Sequence, residues 1–526
     1  MTKDHTPLLS SLLALVLIFA ASSGSVGSTE EPETSQAPYR DPARPLEVRV
    51  DDLLSRMTLE EKLGQINMPC VYEPGLGPDL PAKMEACRRF AEGTHEPGLG
   101  PGGGFFTLPN TILHEGPRQQ AEYLNELQRI AREKTRLGIP LLMTEEGTHG
   151  LMCSGGTVFP EGPALGSAWN LDLLQQIYTV AAREARAIGI HQLFTLVVEP
   201  IRDPRLGRNQ EAYSEDPWLS ARIAETIVPA VQGHDISAPD KVVAGLCHYP
   251  GQSAAAGGLE RGAMEISERR LREIFLPPWE AGIREAGALG VMATYPAIDG
   301  VPVHASERIL TRMLREELGF EGLVLSEGGG LGTLLYEGLA PTMKEAGALA
   351  LKAGVDVGIS YESAYMGELA AAVREGLVPV ALLDRAVARV LRLKLRLGLF
   401  EDPYVDVEHA ASVSSTEKSR ELARQAAREG IVLLKNDGNL LPLRKDLASI
   451  AVIGPNADHE RNQLGDYTST VVLQEVVTVL EGIRAAVGAG TRVLHVKGCD
   501  VIGDGTDEIA EAAAAAREAE VAVVVV

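Results

Sequence analysis

Short apolar segments alternate with longer amphipathic segments along most of the chain. The apolar segments are rich in Val, Leu and Ile, and the longer segments repeat apolar residues at helical spacing, as over Leu171–Ile188 and Trp218–Val231. This alternation is typical of β-α-β units that share a parallel sheet. Because it continues over about three hundred residues, it predicts a closed (β/α)8 barrel over residues 46–400 rather than an open doubly wound sheet.

A second α/β unit is predicted after the barrel. Residues 401–448 are predicted as a linker whose helix, over Ser419–Glu429, leads into that unit. The segments "ASIAVIG", "TRVLHVKG" and "VAVVVV" are predicted as strands of a partial domain over residues 449–526. The chain ends at Val526 inside the last of these segments. Because natural C-termini are rare in a central parallel strand, we expect a truncated product.

The N-terminus has the residue order of a secretory signal peptide. Lys3 lies in a short polar start, an apolar run extends from Leu8 to Ala21, and small residues follow. This order predicts a signal peptide over residues 1–28 and a secreted or periplasmic protein. The apolar run is too short and too interrupted by serine to favour a membrane span in the mature chain, an uncleaved anchor being the alternative. Residues 29–45, rich in Pro, Glu and Ser, are predicted as a disordered tail.

Composition narrows the possible partners. The net charge of −23 at pH 7 argues against nucleic-acid binding, which needs a basic patch to neutralise phosphates, and favours small neutral or cationic partners. The five cysteines are far apart and odd in number, so we expect mostly free thiols. The sequence has no His/Cys cluster with metal-ligand spacing and no nucleotide-binding glycine motif, so we expect no metal. The oligomeric state is left open.

Polar side chains cluster where the predicted strands end. They are Glu145 and Glu146, Glu199 with Asp203, His248, Tyr295, Glu327 and Asp356. In a barrel the carboxyl ends of the strands open onto one face, which carries the active site. Carboxylates in this position suit the cleavage of glycosidic bonds, and charged side chains around them suit the binding of sugar hydroxyls.

The stretch "GLVLSEGGGLG", residues 322–332, is the most specific of these strand ends. An apolar run leads into Ser326 and Glu327, and three glycines follow. Two interpretations are open at this point. Glu327 is either a reactive carboxylate with room for a ligand above it or an ordinary exit from a strand into a loop.

Several ordered motifs resemble those of glycoside hydrolase family three. The stretches are "IRDPRLGRNQEAYSEDPWL", "EEGTHGLM", "VMATYPAIDGVPVHAS", "ELGFEGLVLSE" and "REGIVLLKNDGNLLPL". The resemblance extends from Val50 to the end of the chain. It implies an α/β fold with a (β/α)8 TIM-like barrel followed by an α/β sandwich domain, which is incomplete here. It also implies a retaining, exo-acting β-glycosidase of the β-glucosidase or β-xylosidase type, which needs no organic cofactor and acts on oligosaccharides or on aryl and alkyl β-glycosides.

The resemblance also implies roles for individual residues. Glu327 stands where the family has its nucleophilic aspartate. The residues that match substrate-binding positions are Glu146, Arg208, His248 and Tyr295. The general acid/base of hydrolytic members is a glutamate on a loop of the second domain, which would lie beyond Val526. The sequence therefore implies no general acid within this chain.

Three positions depart from the family pattern. Cys247 replaces a lysine, Leu206 replaces a tryptophan, and Gly328 replaces the aromatic residue after the nucleophile. A nucleophile displaced by about 1 Å can lose on the order of 100-fold in rate, and we expect the glycines to make room for the longer Glu327. A catalytically degenerate, carbohydrate-binding relative is the alternative. A phosphorylase or an N-acetylglucosaminidase of the family is a third possibility. The N-acetylglucosaminidase is disfavoured, because that branch carries an Asp-His pair and "PGQSAAAGGLERG" has no His or Asp. Glucose and xylose both stay open as the sugar.

Overall fold

A computed structural model describes residues 37–473 and 476–526, so the predicted signal peptide lies outside the described residues. The strands are β1 (Gly104–Phe106), β2 (Leu142–Glu146), β3 (Gln192–Val197), β4 (Val243–Tyr249), β5 (Gly290–Ala293), β6 (Ala297–Ile298), β7 (Val301–Pro302), β8 (Leu323–Leu325), β9 (Ser449–Ile453), β10 (Arg492–Val496) and β11 (Val521–Val524).

The described residues also form α-helices before, between and after these strands. They are α1 (Leu46–Arg56), α2 (Leu59–Gln65), α3 (Leu80–Glu92), α4 (Leu108–Ile112), α5 (Pro117–Glu133), α6 (Gly162–Ser167), α7 (Leu171–Ile188), α8 (Pro217–Gln232), α9 (Glu268–Arg270), α10 (Leu276–Glu280), α11 (Thr333–Tyr336), α12 (Met343–Ala353), α13 (Leu369–Arg374), α14 (Val380–Arg396), α15 (Val407–Val413), α16 (Glu417–Gly430), α17 (Val479–Ala486) and α18 (Ile509–Glu518). Wider π-helical turns extend some of them, over Leu271–Phe275, Ala281–Glu285 and Ala364–Glu368, and a separate π-helix, Arg308–Glu317, precedes β8.

Six strands form one parallel sheet in the order β1-β2-β3-β4-β5-β8. At one edge Leu142 of β2 lies opposite Gly104 of β1, and at the other Leu323 of β8 lies opposite Gly290 of β5. Helices such as α7 and α8 connect successive strands, as parallel pairing requires. The chain therefore has the expected α/β fold, with a parallel sheet that forms a half-barrel.

Single parallel bridges continue the sheet beyond its two edge strands. They join Leu325 to Val357, Gly358 to Asn67, and Cys70 to Phe106. Backbone hydrogen bonds accompany them, for example from Met68 N to Gly358 O at 3.0 Å. Two further extended segments, near residues 67–70 and 357–359, thus lie between β8 and β1.

Successive residues of each strand pack into different apolar clusters. Leu142 of β2 and Phe194 of β3 belong to a cluster on the inner face of the sheet, whereas Met143 and Leu193 belong to the cluster that includes the helices. This is the two-residue period of a strand that is buried on both faces. It explains why the strands are continuous apolar runs in the sequence.

Capping residues set the helix ends. The helix predicted over Leu171–Ile188 is confirmed: the Asn170 side chain accepts a hydrogen bond from Leu173 N at its start, and Gly189 ends it with φ +101°. Ser267 starts the helical segment after β4, because its side chain accepts a hydrogen bond from Arg270 N.

The second unit is built on a parallel sheet in the order β10-β9-β11. The central strand β9 is buried along its whole length, with Ile450 and Val452 in one apolar cluster and Ala451 and Ile453 in another. Apolar residues therefore cover both of its faces. The three strands that the sequence predicts here are confirmed.

The last part of the predicted disordered tail is ordered. Tyr39 is 2% exposed, and its hydroxyl donates to the carbonyl oxygen of Leu137 at 2.9 Å. Its ring also meets Phe400 edge to face. The prediction was wrong for residues 37–45, because one buried aromatic side chain anchors a segment whose composition is otherwise polar.

The predicted linker also contains more regular structure than expected. Residues Val407–Val413 form α15, since the Asp406 side chain accepts a hydrogen bond from His409 N and caps the helix. The helix predicted over Ser419–Glu429 is confirmed as α16. Within residues 37–473 and 476–526, no helix has the length and apolar content that a membrane crossing needs.

Asp356 does not lie at the carboxyl end of a strand, which corrects the sequence interpretation. Its carboxylate accepts hydrogen bonds from Val324 N within β8 at 2.9 Å, from Arg315 at 2.5 Å and from Arg389 at 2.7 Å. The residue is 1% exposed. It joins two helices to the middle of strand β8 and takes no part in the face that carries Glu327.

We expect Asp356→Asn to lower the free energy of unfolding by about 3–5 kcal/mol, because it leaves two guanidinium groups without their buried counter-ion. Urea unfolding of the full chain measures the change. The matched control is Glu273→Gln, which breaks the exposed pair with Arg269 and should cost no more than about 0.5 kcal/mol. Similar costs for the two variants would contradict the structural role of Asp356.

Candidate active site

Glu327 is held at the end of β8 by its backbone. Its N–H donates to Nε2 of the fully buried His304 at 3.1 Å. Burial lowers the pKa of His304 to about 3, so this imidazole is neutral and can accept the bond. The preceding residue, Ser326, is fixed in turn because its N–H donates to Val357 O at 2.8 Å and its hydroxyl accepts from Ile359 N at 3.2 Å.

The carboxylate of Glu327 has one engaged and one free oxygen. Oε1 lies 3.3 Å from Nη1 of Arg208 and 3.3 Å from Nε2 of His248. Oε2 is buried and has no hydrogen-bond partner among the residues that the structure describes. Burial raises the pKa of Glu327 well above its usual value, against the opposing charge of Arg208. The side chain is 3% exposed, so any group that reaches Oε2 has to enter the pocket.

Arg208 is the cation around which this pocket is arranged. It forms two hydrogen bonds with the carboxylate of Glu211, at 2.5 and 2.8 Å, in the paired geometry that suits a guanidinium. Its Nη1 also contacts both Glu260 and Glu327. Its Nη2 donates to the hydroxyl of Tyr467 at 3.1 Å. One guanidinium therefore forms hydrogen bonds with three carboxylates.

Glu146 is the last residue of β2 and is half-buried. Its carboxyl group makes no hydrogen bond to any residue within 37–473 and 476–526. Burial and the charges of Glu145 and Glu211 raise its pKa to about 8, against the opposing charge of Arg208. At neutral pH this group is therefore largely protonated and can donate as well as accept.

Cys247 and His248 lie near the end of β4, and His248 contacts Glu327. Burial and the charge of Arg208 lower the pKa of His248 well below its usual value, so the imidazole is neutral. Cys247 is 5% exposed. Burial, followed by the charges of Glu146 and Glu327, raises the pKa of its thiol, so the group next to the carboxylates is uncharged.

Tyr295 lies close to the glycine loop. Its hydroxyl donates to the carbonyl oxygen of Gly328 at 2.7 Å, and the guanidinium of Arg261 stacks on its ring at 3.9 Å from the centroid. The structure thus joins Glu327, Arg208 and His248 directly. Tyr295 reaches the cluster through the backbone after Glu327.

Other carboxylates from the sequence prediction have structural partners instead. Glu145 accepts hydrogen bonds from the backbone N–H of Glu146 at 3.0 Å and of Asn110 at 3.2 Å. Glu199 accepts from Nε1 of Trp279 at 2.9 Å. Asp203 pairs with Arg205 in an exposed position. These side chains support the pocket or its rim, and none of them contacts Glu327.

Sequence analysis missed Glu211, Glu260, His304 and Tyr467. Glu211 follows Arg208 by three residues within the signature stretch, so its spacing was a usable signal. Tyr467 had no such signal because its contact with Arg208 spans 259 positions of the chain. Its loop is tied to the first unit by Asp466, whose N–H donates to Glu161 at 2.8 Å and whose carbonyl oxygen lies 2.5 Å from Nε2 of His149.

Two family models match the chain. The model of the glycosyl hydrolase family 3 N-terminal domain matches residues 58–393, and that of the C-terminal domain matches residues 431–526. A periplasmic β-glucosidase of Salmonella typhimurium is 35% identical over 462 residues, which cover 86% of this chain and 56% of that protein. A putative β-xylosidase of Formosa agariphila is 33% identical over 447 residues, which cover 84% of this chain and 58% of that protein. The chain therefore spans little more than half the length of these relatives.

Solved structures with a similar fold include two β-glucosidases. One, from Erythrobacter marinus, has a TM-score of 0.81 at 32% identity, with 93% of this chain and 66% of that chain covered. The other, from Listeria innocua in complex with glucose, has a TM-score of 0.79 at 29% identity, with 91% of this chain and 64% of that chain covered. The similarity thus includes both the half-barrel and the second unit.

We expect Gly330→Ala to disturb the pocket more than Gly328→Ala. A Cβ atom at Gly330 would lie 2.5 Å from Nε2 of His304, which is the atom that accepts the hydrogen bond from Glu327 N. At Gly328 the nearest atom to a Cβ is the Tyr72 hydroxyl oxygen, at 3.2 Å. Crowding of this kind should cost about 1–3 kcal/mol of unfolding free energy at Gly330 and less at Gly328, as measured by urea unfolding. A larger cost at Gly328 would refute the assigned packing of His304.

Proposed function

The chain belongs to glycosyl hydrolase family 3, and we propose that it is the barrel and part of the second domain of a retaining, exo-acting β-glycosidase of the β-glucosidase or β-xylosidase type. The substrate is a β-linked oligosaccharide or an aryl or alkyl β-glycoside. The observation that carries this proposal is the carboxylate of Glu327, whose Oε1 contacts Arg208 and His248 while its buried Oε2 is free. A retaining glycosidase needs a carboxylate oxygen that can bond to the anomeric carbon.

Glu327 acts as the nucleophile in this proposal. Ionised Oε2 bonds to the anomeric carbon, and the bond between that carbon and the leaving oxygen breaks. Arg208 donates to Oε1, and His248 lies against the same oxygen, which keeps the carboxylate in one orientation during the attack. Water then hydrolyses the glycosyl ester and restores the carboxylate, so the anomeric configuration is retained. The general acid that protonates the leaving oxygen is expected in the second domain, as the family resemblance implies.

The other predicted site residues bind the sugar hydroxyls. Glu146 suits this role because its carboxyl group is half-buried and has no hydrogen-bond partner among the described residues. With a pKa raised to about 8 by burial, it can donate to a hydroxyl oxygen as well as accept from a hydroxyl group. Arg208 and His248 extend the set of polar groups, and Tyr295 forms a wall beside Gly328.

The finer architecture belongs to the same proposal. The bridges near residues 67–70 and 357–359 would complete eight parallel segments and close a (β/α)8 barrel over residues 46–400. Residues 401–448 would link it to an α/β sandwich domain that begins at residue 449. We also propose secretion or export to the periplasm, which is supported by the residue order of the N-terminus and by the periplasmic relative.

A carbohydrate-binding relative without catalytic activity is the second candidate. The observation in its favour is the uncharged Cys247, which lies beside a carboxylate cluster that has few cations. Both candidates predict sugar binding. They differ in whether Glu327 forms a covalent bond with a glycoside.

The two candidates are separated by covalent labelling with 2,4-dinitrophenyl 2-deoxy-2-fluoro-β-D-glucoside and the matching xyloside. Dinitrophenolate leaves without protonation, so the test does not need the general acid. We expect the intact mass to increase by one fluorosugar on Glu327, and Glu327→Gln to abolish labelling. Glu273→Gln, an exposed control, should be labelled at the wild-type rate. Labelling of another carboxylate would refute the nucleophile role, and glucose binding without labelling would favour the second candidate.

The rate of this labelling should increase with pH, because only ionised Glu327 can attack. Burial raises the pKa of Glu327 above its usual value of 4.5, so the half-maximal rate should lie above pH 4.5. Glu260→Gln removes a negative charge that raises this pKa, and should move the half-maximal rate to lower pH by roughly half a unit or more. A shift to higher pH would contradict the assigned electrostatics.

A further inference from the structure

His149 connects the first unit to the loop of the second unit that carries Tyr467. The residue follows β2 and is 3% exposed. Its Nδ1 lies 2.6 Å from the carbonyl oxygen of Phe159, and its Nε2 lies 2.5 Å from the carbonyl oxygen of Asp466. Both ring nitrogens therefore face an oxygen at hydrogen-bond distance.

These two contacts depend on how many protons the ring carries. A carbonyl oxygen can only accept a hydrogen bond, and a neutral imidazole has one N–H group, so its second nitrogen would face an oxygen with a lone pair. An imidazolium has two N–H groups and can donate to both oxygens at once in charge-assisted hydrogen bonds. The two contacts together therefore require the charged ring.

The contact with Asp466 reaches the sugar pocket through the next residue. Tyr467 has φ +49°, a backbone conformation that is unfavourable for a tyrosine and has to be held by its surroundings. Its hydroxyl accepts a hydrogen bond from Nη2 of Arg208 at 3.1 Å. The position of the Asp466 carbonyl group therefore affects the guanidinium that contacts Glu327.

We propose that His149 is a positioning residue of the sugar site. As an imidazolium it fastens the loop at residues 466–471 to the first unit, and so keeps Tyr467 against Arg208. Because the docked loop needs a proton that the released loop does not need, docking weakens as the pH increases. This inference rests on the proposed function only where it assigns the consequence for sugar binding.

Other titratable groups lie near this loop and have to be separated from the imidazole. The titratable and charged groups on the segments around His149 are Glu146, Glu161, Tyr178, Glu184, Tyr213, Arg461 and Asp466. Among the described residues, none of these side chains forms a hydrogen bond or an ion pair with the imidazole. Glu161 acts on the same loop, because it accepts a hydrogen bond from Asp466 N at 2.8 Å. Glu161→Gln keeps an oxygen acceptor for this N–H and serves as the control for the carboxylate.

Hydrogen–deuterium exchange of the full chain measures the release of the loop. We expect the amides of residues 466–471 to exchange about tenfold or more faster at about pH 8.5 than at about pH 5.5, after correction for the intrinsic effect of pH, because one charge-assisted hydrogen bond is lost. The amides of β9, which belong to the same unit, should change by less than about twofold.

Two amide side chains separate the roles of the two ring nitrogens. In His149→Gln the NH2 group lies near the position of Nε2 and can donate to Asp466 O, whereas in His149→Asn it lies near Nδ1 and can reach only Phe159 O. Neither amide titrates, so both variants should lose the pH dependence. His149→Gln should keep the loop docked at both pH values, and His149→Asn should release it at both. Glu161→Gln should retain the wild-type pH dependence.

The same pair of variants tests the consequence for the sugar site. By isothermal titration calorimetry at one pH, His149→Asn should bind D-glucose about tenfold more weakly than His149→Gln. The comparison at one pH cancels the titration of Glu146 and Glu327, because it is common to both variants. In covalent labelling the difference should lie in the concentration of fluoroglycoside that gives half the limiting rate, since the loop positions Arg208 and does not react.

The inference is overturned if the loop exchanges equally at both pH values in the wild-type chain, or if His149→Gln and His149→Asn release the loop to the same extent. If a variant does not fold, the comparison of the wild-type chain with Glu161→Gln still decides the question. The exchange measurement needs no glycoside. Labelling at Glu327 without a pH-dependent loop would therefore refute only this inference, and a pH-dependent loop without labelling would refute only the glycosidase proposal.

Discussion

The pocket depends on how one half-buried guanidinium is shared among several carboxylates. Arg208 forms a paired contact with Glu211 and reaches Glu260 and Glu327 through Nη1. Each buried carboxylate would otherwise cost several kcal/mol of lost hydration, and the planar, permanently charged guanidinium is the side chain best suited to offset several of them. The sharing is incomplete, so burial still raises the pKa of both Glu211 and Glu327.

The parallel sheet brings these side chains together. Glu146 ends β2, His248 lies near the end of β4, and Glu327 follows β8. Residues that are far apart in the sequence therefore meet at the carboxyl ends of the parallel strands. Hydrogen bonds to the backbone then fix the position of Glu327. The Ser326 hydroxyl accepts from Ile359 N, and Nε2 of His304 accepts from Glu327 N. The nucleophile candidate is thus positioned by the neighbouring segment at residues 357–359 and by His304.

The sequence predicted the parallel α/β fold, because strands buried on both faces are continuous apolar runs. It placed Glu327, Arg208 and His248 in one cluster through the family motifs, and the structure brings these three together. The prediction for Asp356 was wrong, because a carboxylate next to an apolar run does not show whether it precedes or follows the strand. It missed Tyr467 and the anchor at Tyr39, because both depend on contacts between distant parts of the chain that leave no local pattern.

The contact between Arg208 and Tyr467 has a consequence for how the protein is made. A chain is synthesised from its N-terminus at about 5–20 residues per second, so the barrel residues leave the ribosome several seconds before Tyr467 does. During that interval Arg208 lacks one of its acceptors, and the loop around Asp466 has not yet joined His149. The six-stranded sheet can therefore assemble before the contacts of Arg208 are complete. The contact between Arg208 and Tyr467 can form only once the second unit is in place, so the final arrangement around Arg208 depends on a part of the chain that is made much later.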